Sequence, residues 1–96
     1  MLKITTQRET KALVLWLEGK LTGPWVQELE RCWRSALDTR QGDPTRVDLS
    51  AVTFIDTDGK TLLARIYRDG AELVASGCLN RSVVEEIIQA TNKKEV

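Results

Sequence analysis

Histidine is absent from the 96-residue sequence, and only two residues are cysteine. Without histidine, the common zinc-ligand sets and a histidine-dependent nucleophilic triad cannot be assembled. Cys32 and Cys78 lie far apart and belong to no C-x-x-C pair. Cys32 falls within a helical pattern and is expected to be a small core residue, whereas Cys78 is expected in a loop. These absences exclude most catalytic chemistry, and we expect no metal and no cofactor.

The chain also lacks a charge excess and a long apolar run. Fourteen Lys and Arg residues balance fourteen Asp and Glu residues, so the basic excess of a typical nucleic-acid binder is missing. No apolar run approaches the roughly 20 residues of a membrane span, and the first residues lack the apolar centre of a signal peptide. We therefore expect a cytoplasmic protein with no nucleic-acid partner and no membrane-spanning segment. The length predicts a single domain over residues 1–96, with a frayed tail over 92–96.

Apolar periodicity in the first half of the chain predicts two strands and a helix. Residues 2–5 alternate as a short strand, the polar residues 7–11 are turn-like, and residues 12–17 form a second, more apolar strand. A helix is expected to begin at Pro24 and to end near Arg40. Its apolar stripe consists of Val26, Leu29, Trp33, Ala36 and Leu37.

The second half of the chain predicts two more strands and two more helices. The third strand contains Val47 and Leu49, and residues 72–75 form the fourth. The second helix ends at Asp69-Gly70, and the third is expected to be capped by Asn80 or Ser82. The stripes of the two helices are Leu62, Leu63, Ile66 and Tyr67, and then Val83, Val84, Ile87, Ile88 and Thr91.

This order of elements predicts an α/β fold, in which an N-terminal hairpin precedes β-α repeats in a mixed four-stranded sheet. Right-handed crossovers that advance in one direction place all three helices on one face, with Trp33 and Leu62 in the core. No remaining element covers the other face, where Trp16 is either a contact surface or a half-exposed aromatic that shields the sheet. The residues expected on this open face are Val14, Trp16, Arg46, Asp48 and Val74.

The most informative segment is VDLSAVTFIDTDGK, residues 47–60, which is typical of a strand that enters a polar turn and opens a helix. Such a turn offers unpaired backbone N–H groups to a binding partner. The Gly-Lys-Thr at 59–61 is not a phosphate loop, because the glycine required five positions before Gly59 is replaced by Phe54. Asp56 and Asp58 stand only two residues apart with no sign of a cleft, so we expect no enzyme.

Helix capping explains part of this turn without any partner. Asp56 or Thr57 is expected to cap the second helix through its side-chain oxygen. Asp58, in the first helical turn, complements the helix dipole and contributes about 0.3–1 kcal/mol.

The letters VDLSAVTFIDTDG resemble the signature of the STAS family, which is named for sulphate transporters and anti-sigma factor antagonists. That signature is an aliphatic strand, Leu-Ser, an aromatic-Ile pair, and Asp-Ser/Thr-Ser/Thr-Gly. The resemblance covers roughly residues 12–90 and includes LEGKL before the first helix. It implies a mixed sheet with helices along one side and a non-enzymatic, protein-binding regulatory module.

In the family, this turn contacts a partner protein, and phosphorylation of its second hydroxyl residue prevents binding. The resemblance therefore implies partner binding at Asp56, Thr57, Asp58, Gly59 and Lys60. Asp58 occupies the phosphorylation position and would be a partial, permanent mimic of the phosphorylated residue. Thr57 is then the alternative phosphosite, and Lys60, where the family usually has an apolar residue, is expected to pair with Asp56 or with the partner.

Three functions remain open at this stage. The first is a bacterial partner-switching component that binds an anti-sigma factor or a similar serine kinase-like regulator. The second is a constitutive subunit that docks on the nucleotide-binding subunit of a lipid-trafficking ABC transporter, where Asp-Thr-x-Gly in this turn serves docking. The third is a small-ligand receptor with the ligand at the turn.

Overall fold

A computed structural model describes residues 1–39, 42–76 and 78–93, which form four strands and three helices. The sheet has the order β1-β2-β3-β4, in which β1 and β2 are antiparallel and the other neighbours are parallel. This confirms the predicted α/β fold with its N-terminal hairpin and mixed sheet. In chain order the elements are β1 Leu2–Glu9, β2 Ala12–Leu21, α1 Pro24–Thr39, β3 Thr45–Ile55, α2 Thr57–Arg68, β4 Glu72–Val74 and α3 Cys78–Lys93.

The core lies between the helices and one face of the sheet, which we call the helix face. Trp33 of α1 and Leu62 of α2 are buried in it, as predicted. The Trp33 indole Nε1 donates a hydrogen bond to Asp69 Oδ2 at 3.0 Å, so its one polar atom is satisfied at the C-terminal cap of α2. The strands contribute Leu2, Leu13, Leu15, Leu17, Leu21, Val47, Leu49, Val52 and Ile55.

The N-terminal hairpin is longer than its sequence indicates, and the prediction of a turn over residues 7–11 was wrong. Gln7 pairs with Val14 and Glu9 with Ala12, so β1 continues to Glu9 and only Thr10 and Lys11 form the turn. These polar residues can be strand because β2 satisfies their backbone groups. The second strand is also longer than predicted and runs to Leu21.

The alternation of buried and outward-facing residues along β3 is interrupted twice. Its register against β2 shifts between Trp16 and Glu18 and again between Gly19 and Lys20. Each shift places one extra β3 residue opposite β2, which is the defining feature of a β-bulge. The buried residues are consequently spaced by two and then by three positions, at Thr45, Val47, Leu49, Val52 and Ile55.

At the C-terminal end, β4 is only three residues long, and Ala75 lies beyond it although it was predicted within the strand. α3 begins at Cys78, so the loop position predicted for Cys78 and the caps predicted at Asn80 or Ser82 were wrong. α3 includes the first two residues of the expected tail, whereas Arg40, the expected end of α1, and residues 94–96 lie outside the described residues.

Candidate functional site

The turn between β3 and α2 is held in place by one carboxylate. Asp56 has extended backbone angles and is the N-cap of α2, and its Oδ1 accepts a hydrogen bond from Gly59 N at 2.7 Å. Its Oδ2 accepts a second hydrogen bond, from Gly23 N at 3.0 Å in the loop before α1. Asp56 N donates to Leu21 O at 3.1 Å. Of the two predicted caps, Asp56 is therefore the one used, and it also ties the turn to the end of β2.

Gly59 is buried in the first turn of α2, where the helix begins directly against β2. A Cβ atom at this position would lie 2.9 Å from the backbone oxygen of Leu21 and 3.0 Å from Ile55 Cγ2. Such distances are shorter than van der Waals contact, and a backbone oxygen cannot rotate away. Glycine is required here for a close approach between a helix and a strand.

Thr57 and Asp58, between these two residues, are exposed to solvent. Asp58 lies in the first turn of α2, where a negative charge is favoured by the helix dipole. We call Asp56 and Gly59 the inner half of the turn, and Thr57 and Asp58 the outer half. The outer half alone presents side chains that a partner can reach without disturbing the fold.

Lys60 pairs with α3 rather than with Asp56. Its Nζ lies 3.8 Å from Glu86 Oε2, and both side chains remain substantially exposed. An ion pair of this kind stabilises the protein by no more than about 1 kcal/mol, so Lys60 can exchange it for another acidic group at low cost. Lys60 therefore contributes little to the stability of the fold, and its side chain remains accessible at the surface.

Phe54 is an exposed residue beside the turn that sequence reasoning missed. The residue is 51% exposed, and with Met1 it is one of two large hydrophobic residues exposed among the described residues. Simple alternation would place Phe54 on the same face as the buried Val52, but the second bulge reverses its orientation. The available signal was the spacing of Leu49, Val52 and Ile55, which recur every three residues and so do not fit a regular strand.

The open face of the sheet carries a concave surface around Trp16. The half-buried Trp16 borders a cleft of about 420 Å³. Val14 was predicted to lie exposed on this face, yet it is only 1% exposed. Its cross-strand neighbours are Gln7 and Arg46, and Arg46 is held by Glu72 at 3.3 Å. Both neighbours carry long side chains, whose apolar stems are able to cover Val14. The cleft is lined by Thr5, Trp16, Leu17, Glu18, Asp48, Ser50 and Ala51.

Cys32 packs against the core and is not an activated thiol. Partial burial raises the pKa of its thiol, the charge of Glu28 adds to this effect, and Arg31 opposes it. A raised pKa keeps the sulfur protonated near neutral pH, where the thiolate would be the nucleophile.

The described residues hold neither a metal-binding cluster nor a membrane-spanning helix. No group of three or more His, Cys, Asp or Glu residues in them is arranged to hold a metal ion. No helix within them has the length and apolar character needed to cross a membrane.

No protein-family model matches the sequence, and no curated protein matches it. Solved structures do match. An anti-sigma factor antagonist from Mycobacterium paratuberculosis superimposes with a TM-score of 0.78 at 21% identity, over 95% of this chain and 82% of the other.

Two further structures share the same architecture. The anti-sigma factor antagonist SpoIIAA in its unphosphorylated form gives a TM-score of 0.60 at 13% identity, over 88% of this chain and 97% of the other. A STAS domain antagonist from Rhodobacter sphaeroides gives 0.57 at 21% identity, over 79% and 86%. The structural resemblance expected from the turn signature is therefore confirmed, and the chain has the SpoIIAA-like fold of anti-sigma factor antagonists and STAS domains.

Proposed function

We propose that this chain is a non-enzymatic, protein-binding regulatory module of the anti-sigma factor antagonist type, and that its partner contacts the outer half of the turn. The observation that carries the proposal is the division of the turn. Thr57 and Asp58 are exposed, while Asp56 and Gly59 are committed to the fold. The fold shared with anti-sigma factor antagonists supports a protein as the partner.

In our proposal, Asp58 determines how strongly this module binds its partner. A carboxylate cannot accept a phosphoryl group from a serine kinase, so the regulatory phosphorylation at position 58 is lost. Asp58 instead carries one permanent charge on a planar group, where a phosphorylated residue would carry nearly two on a tetrahedral group. It therefore acts as a fixed and partial off-signal that weakens docking of an anti-sigma factor-like partner. Thr57 is the exposed hydroxyl residue next to it and the alternative phosphosite.

Phe54 provides the apolar part of the proposed contact. Phe is among the aromatic residues that are enriched at protein–protein interfaces relative to the rest of the surface. Phe54 stands two residues before Asp56 at the end of β3, and half of the residue is accessible. A partner that covers Phe54 and reaches the outer half of the turn would combine apolar burial with recognition of charge.

Calorimetry with a cognate partner tests the proposal, the partner being a serine kinase-like anti-sigma factor from the same organism. We expect Asp58→Ser to lower the dissociation constant by on the order of tenfold, about 1.4 kcal/mol, because it removes the opposing charge. Asp38→Ser is the matched control, since it removes the same charge from an exposed position on α1. This control should leave the affinity unchanged.

Other results would replace the proposal. If Asp58→Ser weakens binding by about 2–5 kcal/mol, Asp58 is a docking contact, as expected for a constitutive subunit on an ABC transporter. If Asp58→Ser and Thr57→Ala both bind like the wild type while Trp16→Ala abolishes binding, the site lies on the open face. Phosphate on Thr57 after incubation with the kinase would show that the switch has moved by one residue.

A further inference from the structure

The two edges of the sheet differ in how they are protected from pairing with another strand. β4, at one edge, is three residues long, which leaves little backbone to pair. β1, at the other, is eight residues long, contains no proline, and pairs with β2 in a continuous register without a bulge. Among the described residues, no strand pairs with the outer side of β1. A long, regular edge presents a row of backbone donors and acceptors to any further strand.

The helices leave this edge accessible. Thr6 and Arg8 belong to the helix face of β1, since they pair with the core residues Leu15 and Leu13, yet both are exposed. The Arg8 guanidinium is turned toward the C-terminal end of α1, where it donates hydrogen bonds to Asp43 Oδ2 and to Thr39 O. Neither a helix nor this charge therefore blocks the approach of a strand to β1.

We propose that a second copy of this chain pairs with the outer edge of β1 through its own β1. Antiparallel pairing about a two-fold axis would join the two four-stranded sheets into one of eight strands. An axis perpendicular to the sheet keeps both helix faces on the same side. Each β1 residue then meets a residue of the same face, which excludes registers displaced by one position.

Charge complementarity selects among the remaining registers. With Thr6 on the axis, Lys3 lies opposite Glu9 of the second copy, and this pair occurs twice. Thr5 then faces Gln7, and on the helix face the half-buried Ile4 meets the alkyl part of Arg8. Directly opposite Cβ atoms are about 4.5–5.5 Å apart, which is close enough for these pairs to interact. If Thr5 were on the axis instead, Lys3 would face Gln7 and would gain no charged partner from the second copy.

One ion pair on the open face of the monomer is compatible with this arrangement. Lys3 Nζ lies 4.0 Å from Glu18 Oε2 on β2. In the dimer, Lys3 would stand between Glu18 of its own chain and Glu9 of the second copy. The acidic and basic side chains would then alternate across the new junction, which is the order that a strand junction favours.

Sedimentation equilibrium with charge-swapped variants tests the interface. We expect the wild type to dimerise in the micromolar to millimolar range. Lys3→Glu and Glu9→Lys should each raise the dimer dissociation constant by about tenfold, because each variant replaces two attractive pairs with two repulsive ones. The double variant should restore the wild-type value. Lys20→Glu makes the same charge change at an exposed position on β2 and should have no effect.

Disulfide trapping gives a second measurement that does not depend on charge. Thr6→Cys, with Cys32 and Cys78 changed to Ala, places two thiols opposite each other on the axis at a separation compatible with a disulfide. We expect rapid oxidation to a covalent dimer. Thr10→Cys in the same background is the control, because Thr10 is an exposed residue outside the proposed charge pairs and its two copies would lie far apart.

A monomer at all concentrations would overturn the proposal. So would a dimer that is insensitive to both charge reversals, or a double variant that fails to regain affinity. Equal cross-linking of the Thr6→Cys and Thr10→Cys variants would also contradict it, since only the first substitution lies on the proposed axis. The proposed function concerns the turn before α2, so neither result depends on the other.

Discussion

The inner and outer halves of the β3–α2 turn consist of four consecutive residues, yet they have opposite structural roles. Asp56 and Gly59 bind the turn to β2 and to the loop before α1, whereas Thr57 and Asp58 face solvent. The difference shows that a short signature need not be a list of contact residues. Part of it positions the helix, and the exposed remainder is the part that we propose a partner contacts. Substitutions should therefore separate the two halves by their effect on stability.

Gly59→Ala should have the largest effect on the inner half. The added Cβ would lie 2.9 Å from the Leu21 backbone oxygen, so α2 and β2 must move apart. Alanine gains roughly 1 kcal/mol in helix propensity, but we expect overpacking to prevail and to leave a net loss of about 2–3 kcal/mol. Chemical denaturation measures this, and Lys60→Ala is a control at the adjacent position. An unchanged denaturation midpoint for Gly59→Ala would mean that α2 does not approach β2 so closely.

Asp56→Ala should rank second and lower the free energy of unfolding by about 1–2 kcal/mol. It removes the helix cap and leaves Gly59 N and Gly23 N without their acceptor. Asp56→Asn sharpens the test, because an amide can accept from only one of these two donors. We therefore expect Asn to recover part of the loss. A value for Asn equal to that of Ala would show that the two hydrogen bonds act as one unit.

Asp58→Ser should cost the folded state only about 0.3–1 kcal/mol, through the loss of a favourable charge at the helix N-terminus. Because this interaction is screened by salt, the difference from the wild type should shrink between low and high ionic strength. Thermal unfolding at the two salt concentrations measures it. A larger, salt-independent loss would place Asp58 with the inner half of the turn.

Thr57→Ala should have the smallest effect on stability, within about 0.5 kcal/mol of the wild type, because its side chain is exposed. The same variant is informative in the binding experiment, where the hydroxyl is removed from the proposed contact. A stability loss comparable to that of Asp56→Ala would erase the distinction between the two halves.

Features that depend on neighbouring residues were predictable from the sequence. Pro24 begins α1, Asp56 caps α2, and Asp69 closes it, as expected from turn and capping preferences at fixed offsets. Trp33 and Leu62 lie in the core because helical periodicity places them on one stripe. These signals are local, and no knowledge of the tertiary structure is needed to read them.

Features that depend on strand pairing were not predictable in the same way. Gln7 becomes part of a strand because Val14 lies opposite, and Phe54 is exposed because bulges arise where β3 pairs with β2. Val14 is buried on the open face, where its neighbours on β1 and β3 carry long side chains. In each case the deciding partner lies on another strand, so alternation within a single segment gives an incomplete answer.

The candidate site has features of both kinds, some set by neighbouring residues and others by contacts between distant parts of the chain. The sequence places its five residues together, because they are consecutive, and it assigns the capping role to Asp56 or Thr57. The hydrogen bond from Gly23 to Asp56, however, spans 33 positions. The close approach of the Leu21 backbone oxygen to Gly59 arises only when α2 packs against β2. Which side chains face inward is consequently a property of the folded chain.

The single carboxylate of Asp56 also has a consequence for the dynamics of the protein. Two amide protons, on Gly23 and Gly59, depend on the same acceptor group, although they belong to different parts of the chain. Release of that carboxylate would expose both amides in one local opening, which predicts hydrogen-exchange protection that rises and falls together at the two positions. A partner that tightened or loosened the turn would then change solvent exchange in the loop before α1 without touching it.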